Sequence, residues 1–225
     1  MEKSDIHILI LSSWYPSENS PFLGNLIVRQ ASMLGKKYKV TVVHTQVSDY
    51  SSVETKQREN FREIIVHFIA GLNVFIRKLN QRNAFIKGLD TIQNADVIIG
   101  NILIPEGWQF LLAKKKFNCP LLYLEHGSYF ALESPFKWTF FNRIIRDRMM
   151  AKADEIFAVS DFLKRDMHRF FGKRKLQVIG NHIDLNLFCY KKKAKKKATH
   201  FLHISTLDPI NKNPNGILKA CSLLI

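Results

Sequence analysis

Residues 6–16 are IHILILSSWYP, and this stretch decides the fold. The apolar run 6–11 is too short for a membrane span or an ordinary helix, and its length suits a strand that is buried on both faces. Ser12, Ser13 and Pro16 follow at once and predict a long loop. A buried strand that ends in a polar loop is typical of a parallel sheet, where helices cover both faces.

The same alternation continues along the chain. Short apolar strands separated by helices predict an α/β domain with a Rossmann-like, mostly parallel sheet and helices on both faces, whose ligand binds at the carboxyl ends of the strands. A loop is expected at 46–60. The further predicted strands are 38–44, 61–69, 96–99, 121–124, 155–159 and 176–179, and the helices are 22–34, 72–92, 106–117, 135–152 and 161–171.

The character of the chain changes near residue 184. A lysine-rich segment predicts a basic linker over 184–199, after a first domain spanning 1–183. Residues 201–205 are strand-like, and Pro214 suits the first turn of a helix over 213–225. That helix ends on apolar residues without a cap. We therefore expect 200–225 to be the first strand and helix of an incomplete second α/β domain, in the front part of a longer two-domain protein.

Composition limits the partners but does not choose among them. The 225 residues include 34 Lys+Arg and 19 Asp+Glu, a net charge of +15 that is concentrated in the middle of the chain and in the run KKKAKKK at 191–197. Such an excess suits nucleic acid, an anionic membrane or an acidic substrate. The three widely spaced cysteines argue against a disulfide framework and favour a reducing cytoplasm. The N-terminus does not resemble a signal peptide.

Several well-known motifs are absent. The first strand-to-helix loop has only Gly24 where a dinucleotide fingerprint needs three glycines, and the sequence contains no phosphate-binding P-loop. A G-x-S-x-G elbow is also missing, as is a C-x-x-C pair, so a serine hydrolase and a metal site are both disfavoured.

Three positions remain as candidates for chemistry. Gly24 either lets a phosphate approach the first helix closely or relieves a crowded contact. His126 follows the strand 121–124, with Glu125 before it and Gly127 after it in a turn that would direct the imidazole into the crevice. Ser160 is better explained as the cap of the helix 161–171 than as a ligand contact.

The segment 134–152 mixes aromatic and basic residues. It includes Phe136, Trp138, Phe140, Phe141 and Arg148. An amphipathic helix of this kind can lie in the headgroup layer of a membrane, and it can equally be an ordinary domain helix with a charged outer side.

Five segments together resemble the family 4 glycosyltransferases. They are SSWYPS…PFLGNLIVRQASML, LYLEHGS, ADEIFAVSDFLKRDM, VIGNHIDLNLF and LHISTLDPINKNPNGILKA, and they occur in the family's order over nearly the whole chain. The resemblance implies the N-terminal half of a GT-B fold, with 1–183 as the acceptor-side domain and 200–225 as the first strand and helix of a truncated donor-binding domain. It also implies a retaining, hexosyltransferase-type enzyme that uses a nucleotide-sugar donor, with no further cofactor and no metal.

The resemblance also assigns roles to individual residues. Gly24 matches the glycine near the donor phosphates or acceptor, and His126 matches the histidine that faces the reacting sugar. Asn181 and Asp184 match the segment entering the hinge, where Gly180 and His182 replace the usual proline and glycine. Lys212 matches the basic residue that grips the donor pyrophosphate.

Two departures from the family pattern concern the donor. Residues 205–207 stand where the family has a second basic contact, and the family's E-x7-E region does not occur in these 225 residues. We therefore expect little transfer by this chain alone.

The implied setting is cytoplasmic. The resemblance is to bacterial enzymes of cell-surface polysaccharide or lipopolysaccharide assembly, acting on a glycan or lipid-linked acceptor. Peripheral contact with the anionic inner face of the cell membrane is part of this interpretation. The alternative is a non-catalytic basic module that binds nucleic acid or an anionic membrane, although the sequence carries no recognised nucleic-acid motif.

Overall fold

The computed structural model describes residues 4–18, 20–132, 134, 136–172, 174–185, 188–190, 201–205, 207, 209 and 212–223. The chain divides into two compact units, Met1–Ile183 and Asp184–Ile225. The expected run 191–199 of the linker lies outside the described residues, as does residue 200.

The first unit is built on one eight-stranded sheet. Its strand order is β3-β4-β2-β1-β5-β6-β7-β8. Every neighbouring pair is parallel except β3 and β4, which are antiparallel. The strands are β1 (Ser4–Ser12), β2 (Tyr38–Val47), β3 (Ser52–Gln57), β4 (Arg62–Phe68), β5 (Val97–Asn101), β6 (Leu121–Glu125), β7 (Glu155–Ala158) and β8 (Leu176–Val178).

Helices alternate with these strands, which confirms the expected α/β class. Thr139 and Ser160 cap two of the helices, because their hydroxyl oxygens accept from the amides of Asn142 and Leu163. The helices are α1 (Asn25–Gly35), α2 (Val74–Asp90), α3 (Gly107–Phe117), α4 (Phe140–Lys152), α5 (Asp161–Phe171) and α6 (Pro214–Ser222).

β1 is buried on both faces, as its apolar run predicts. Leu9 and Leu11 belong to the larger core cluster, which includes residues of α2, α3, α4 and α5. Ile8 and Ile10 belong to a second cluster with Ile27 of α1. Burial of side chains of this size contributes about 2 kcal/mol each, so the centre of the sheet is firmly held beneath the loops at its carboxyl edge.

The expected loop at 46–60 is wrong in part. Residues 52–57 form β3, which pairs with β4 at the edge of the sheet. Its sequence, SVETKQ, is polar because five of the six residues are exposed. An edge strand of this kind lacks the apolar alternation by which a strand is recognised.

Two helices begin later than expected. α1 begins at Asn25 instead of near Pro21, because Gly24 has a φ of 71° and ends the preceding turn in the left-handed region. α4 begins at Phe140 instead of 135. Ahead of α4, Phe136 and Trp138 pack into an aromatic cluster.

The helix expected over 72–92 begins at Val74, and its first turns are not buried. Leu72 and Phe75 are 98% and 77% exposed, and Leu79 is exposed as well. The buried face of the helix lies later, at Ala84, Phe85, Gly88 and Leu89.

The second unit contains α6, with Pro214 in its first turn as expected. The expected strand at 201–205 is wrong: these residues form no strand, and Phe201, Leu202 and Ile204 are at least 72% exposed. A strand needs a neighbour to accept its backbone hydrogen bonds, and the described residues of 201–205 pair with no strand. The role expected for this unit in a donor-binding domain stays a prediction.

None of the described helices combines the length and the apolarity that crossing a bilayer would require.

Candidate active site

The sheet has a topological switch point at β1. β1 lies between β2 and β5 in the sheet. Strands β2 to β4 lie on one side of β1 and strands β5 to β8 lie on the other, so the loops after β1 and β5 leave the carboxyl edge in opposite directions. The backbone N–H of Ser13 donates to the carbonyl of Asn101 at 3.2 Å. The N–H of Glu106 donates to the Ser13 hydroxyl at 2.8 Å. These bonds join the two loops at the base of a crevice.

His126 stands in this crevice, directly after β6. Its Nε2 lies 3.0 Å from Oδ1 of Asn101, and its Nδ1 lies 3.1 Å from Oδ1 of Asn181. Asn101 is fully buried, and its amide nitrogen donates to Gln30 of α1 at 3.1 Å. Because that nitrogen donates to Gln30, the Asn101 oxygen faces the ring and can accept from Nε2. Nδ1, on the more exposed edge of the ring, lies against Asn181.

The imidazole is neutral near pH 7. Burial lowers the pKa of His126 to about 4, although the Asn181 side chain acts in the opposite direction. A neutral ring offers hydrogen bonds without a positive charge. It therefore suits contact with a sugar hydroxyl better than charge neutralisation of a phosphate.

Glu125 does not face the crevice. Its carboxylate is fully buried and accepts from the backbone N–H groups of Leu103, His126 and Gly127 at 3.2, 2.9 and 2.6 Å, and from the Tyr123 hydroxyl. Burial raises the pKa of Glu125, and the donors act in the opposite direction. The carboxylate ties the turn that carries His126 to the loop after β5, so Glu125 positions the site from beneath.

The two candidate glycines are required by close contacts. A Cβ on Gly24 would lie 2.3 Å from the carbonyl oxygen of Trp14, and one on Gly127 would lie 2.8 Å from the ring of Tyr129. Gly24 therefore relieves a crowded backbone contact in the loop after β1. Its expected contact with donor or acceptor stays a prediction.

A cavity of about 240 Å³ opens beside the crevice, at the carboxyl ends of β1 and β2. It is mainly hydroxylic and acidic, and its lining contains no lysine or arginine. The lining residues are Ser12, Ser13, Tyr15, Ser17, Leu23, His44, Thr45, Gln46, Val47 and Glu106.

Thr45 and Glu106 are held in place by amides behind the cavity. The Thr45 hydroxyl accepts from Gln81 at 2.9 Å and from Gln109 at 3.3 Å. The same Gln109 nitrogen donates to the Glu106 carboxylate at 2.9 Å. Burial raises the pKa of Glu106, while Gln81 and Gln109 act in the opposite direction.

A buried carboxylate and its partners support the other wall of the cavity. Tyr15 stacks on His44 with ring centroids 4.2 Å apart, and Nε2 of His44 lies 3.3 Å from Glu63. The other Glu63 oxygen accepts from Arg58 at 2.8 Å. Burial opposes ionisation of Glu63, but the bonds from His44 and Arg58 outweigh it and lower its pKa to about 2. Burial also lowers the pKa of His44. A neutral His44 and an ionised Glu63 follow.

The remaining expected site residues have different positions. Ser160 caps α5 through its hydroxyl, 3.2 Å from the amide of Leu163. Asn181 contacts His126, as described above. Asp184 and Lys212 belong to the second unit, and Lys212 is exposed. Among the described residues, no three His, Cys, Asp or Glu side chains come together in a way that could hold a metal ion.

Sequence reasoning did not single out Asn101, Gln30, Thr45 and Glu106. A signal existed for Asn101, because a polar residue ends an otherwise apolar buried strand at the carboxyl edge. Gln30 lies in α1 between Arg29 and Ala31, and only the folded chain brings its side chain to Asn101.

Comparison with solved structures found several similar chains, and the first of them described here shares the fold. Sucrose-phosphate synthase from Thermosynechococcus elongatus has 14% identity and a TM-score of 0.53, covering 80% of this chain and 92% of that one. Arabidopsis thaliana UGT89C1 complexed with UDP has 14% identity and a TM-score of 0.49, covering 80% of this chain and 50% of that one. An E. coli trehalose-6-phosphate structure bound with UDP-2-fluoro glucose has 13% identity and a TM-score of 0.46, covering 72% and 41%.

No curated protein matches the chain by sequence. The family model for Glycosyltransferase Family 4 matches residues 23–187, which include Gly24, the crevice around His126, and Asn181. This match covers most of the first unit and confirms the resemblance carried by the sequence segments. The chain belongs to Glycosyltransferase Family 4 and has the α/β architecture of the GT-B glycosyltransferases.

Proposed function

We propose that this protein transfers a sugar from a nucleotide-sugar donor to a hydroxyl of a glycan or lipid-linked acceptor, with retention of configuration. The observation that carries the proposal is the neutral His126, held by Asn101 and Asn181 at the switch point of a chain in this family. Cell-surface polysaccharide or lipopolysaccharide assembly is the setting that we propose for the reaction.

The cavity beside the crevice supports an uncharged acceptor group. Its lining offers hydroxyls from Ser13, Ser17 and Thr45 and a carboxylate from Glu106, and no lysine or arginine is among the described residues that line it. A sugar ring presents hydroxyls that can donate to the carboxylate and exchange hydrogen bonds with the hydroxyls. A phosphorylated sugar would bring a negative charge toward Glu106.

Binding is the appropriate measurement, since little turnover is expected of these 225 residues from their sequence pattern. Purified chain is titrated by NMR with a panel of neutral oligosaccharides and with their phosphorylated counterparts. We expect saturable, stronger binding of neutral members, with shifts at the three residues His126, Asn101 and Thr45. Stronger binding of the phosphorylated members would contradict the acceptor class that we propose.

Two variants locate the binding. Thr45→Val removes one hydroxyl from the cavity at nearly constant volume, and we expect about fivefold weaker sugar binding, the equivalent of one hydrogen bond. Thr55→Val makes the same change on the exposed face of β3, outside the cavity, and serves as the control. Equal effects of the two variants, or none from Thr45→Val, would place the sugar elsewhere.

The role of His126 is tested in the same titration. His126→Ala removes the ring from the crevice, so we expect weaker binding of the sugar that lies against it. Unchanged binding would contradict the central place of His126 in the proposal.

A further inference from the structure

Three helices of the first unit enclose a groove of about 620 Å³ that has no role in the crevice chemistry. α3 and α4 each contribute residues one and two turns apart, and α2 contributes two residues one turn apart, so each helix presents one face to the groove. We call it the α2–α3–α4 groove, and its lining residues are Lys78, Arg82, Trp108, Leu111, Leu112, Lys115, Phe141, Ile144, Ile145 and Arg148.

The charge of the groove has one sign. Lys78, Arg82, Lys115 and Arg148 line it, and no acidic side chain does. Among the described residues, none of the four forms an ion pair, whereas the neighbours of Lys115 on both sides do. Burial raises the pKa of Glu106, and the positive charges of Arg77 and Lys78 act on it in the opposite direction. The four cations are therefore available to an external anion.

The apolar part of the surface continues from the groove along the first turns of α2. Phe75, Lys78, Leu79 and Arg82 share one helical face, and Phe75 and Leu79 are exposed. Phe141 of α4 is 44% exposed and lies under the Lys78 ammonium, 4.2 Å from ring centroid to nitrogen. Exposed aromatic and aliphatic side chains next to unpaired cations match the boundary between lipid headgroups and acyl chains.

We propose that the α2–α3–α4 groove and the exposed first turns of α2 form a docking surface for a bilayer that contains anionic phospholipid. The cations would bind headgroup phosphates, while Phe75, Leu79 and Phe141 would enter the apolar layer. Nucleic acid would use the charge but leave these side chains in water. The segment 134–152 contributes only one wall, because Trp138 packs against Phe130 in the core.

The position of this surface fits a lipid-linked substrate. α2 follows β4 and α4 follows β6, so both helices begin at the carboxyl edge of the sheet, where His126 also lies. Phe75 and Phe141 are in the first turns of these helices. The docking surface therefore begins at the edge that carries the crevice, and it does not depend on the transfer reaction that we propose.

Vesicle flotation tests the proposal. The 225-residue chain is mixed with vesicles of phosphatidylcholine alone or with about one third phosphatidylglycerol, at low and at moderate salt. We expect binding to the anionic vesicles only, weakening as salt rises. No flotation with anionic vesicles at low salt would overturn the proposal.

Two pairs of variants separate this surface from general basicity. Arg82→Gln with Arg148→Gln should lower the partition coefficient about 30-fold, since each cation near the membrane is worth about a fivefold change. Lys36→Gln with Lys37→Gln removes the same charge from exposed positions that follow α1 and should lower it less than about threefold. Equal losses from the two pairs would show that net charge alone drives binding and would refute the docking surface.

The apolar contact has its own matched pair. Phe75→Ala should weaken vesicle binding about tenfold, and it should reduce the part of the binding that persists at moderate salt. Phe162→Ala removes a ring of α5 that is 60% exposed and should have little effect. A duplex DNA titration is run in parallel. Tight DNA binding that the Arg82 and Arg148 changes abolish, with Phe75→Ala silent in both assays, would favour nucleic acid and overturn the proposal. Sugar titrations of the crevice are unaffected by either result.

Discussion

Gly24→Ala tests how firmly the loop after β1 is held at the site. Gly24 has a φ of 71°, and an added Cβ would lie 2.3 Å from the Trp14 carbonyl oxygen. That oxygen also accepts from the Ser12 hydroxyl at 2.7 Å. The substitution therefore adds backbone strain, and it displaces a Trp14 carbonyl that is held by the Ser12 hydroxyl.

The expected loss in the free energy of unfolding is the sum of two contributions. Alanine in the left-handed region costs about 1–2 kcal/mol, part of which is offset because the unfolded chain also loses freedom. Displacing the Trp14 backbone resembles overpacking and costs about 1–3 kcal/mol more. We expect a total near 3 kcal/mol. The movement would also shift Ser13 and Tyr15, so neutral sugars should bind more weakly in the cavity.

Urea denaturation followed by tryptophan fluorescence measures the change. All three tryptophans, Trp14, Trp108 and Trp138, lie in the first unit, so the signal reports that unit alone. Gly71→Ala is the matched control: Gly71 has a φ of 78°, but its Cβ would lie 2.5 Å from the Ile76 side chain, which can move, and an ordinary 3.5 Å from the nearest backbone atom, the nitrogen of Arg77. We expect a loss of about 1 kcal/mol for the control.

A small effect would refute this reasoning. If Gly24→Ala lost no more stability than Gly71→Ala, the contact with Trp14 would not restrain the loop. If stability fell as expected but sugar binding in the cavity did not change, the loop would not shape that cavity.

Three further predictions concern the supporting network. Glu63 has a pKa of about 2 in the folded chain against an ordinary 4.5. Its ionised carboxylate therefore stabilises the native state above about pH 4.5, and this stabilisation is lost as pH falls toward 2. Glu63→Gln should therefore lower the free energy of unfolding by on the order of 3 kcal/mol at pH 7. In urea melts between pH 4.5 and 2, the stability of the variant should fall less with pH than that of the unchanged chain, and an equal fall would contradict the low pKa of Glu63. Tyr123→Phe leaves the buried Glu125 carboxylate one donor short and should cost about 1–3 kcal/mol in urea; a loss below 0.5 kcal/mol would be too small for this bond. Ser160→Ala should cost about 1 kcal/mol by the same measurement and leave sugar binding unchanged, with Ser160→Asp as the cap-preserving control, whereas reduced sugar binding at intact stability would make Ser160 a ligand contact.

The strands of the parallel sheet could be predicted because each has to be buried. The run 6–11 becomes the centre of the sheet, and its alternate residues enter two separate cores. β3 could not be predicted, since an edge strand that is mostly exposed carries no apolar pattern. The first residues of the helix predicted over 72–92 show the opposite case. Leu72 and Phe75 have the pattern of a buried face, but nothing in the described fold covers them.

For the candidate site, the sequence by itself determined the position of His126 and Gly24, because both follow strands whose carboxyl ends meet at one edge. Whether a side chain at that edge faces the crevice was decided only by the tertiary structure. Glu125 lies next to His126 in the chain, yet its carboxylate is buried beneath the turn by four donors. Asn101 is 25 residues away and touches the ring. Hydrogen-bond partners of this kind come from different strands and helices, and only their packing around the sheet brings them into contact.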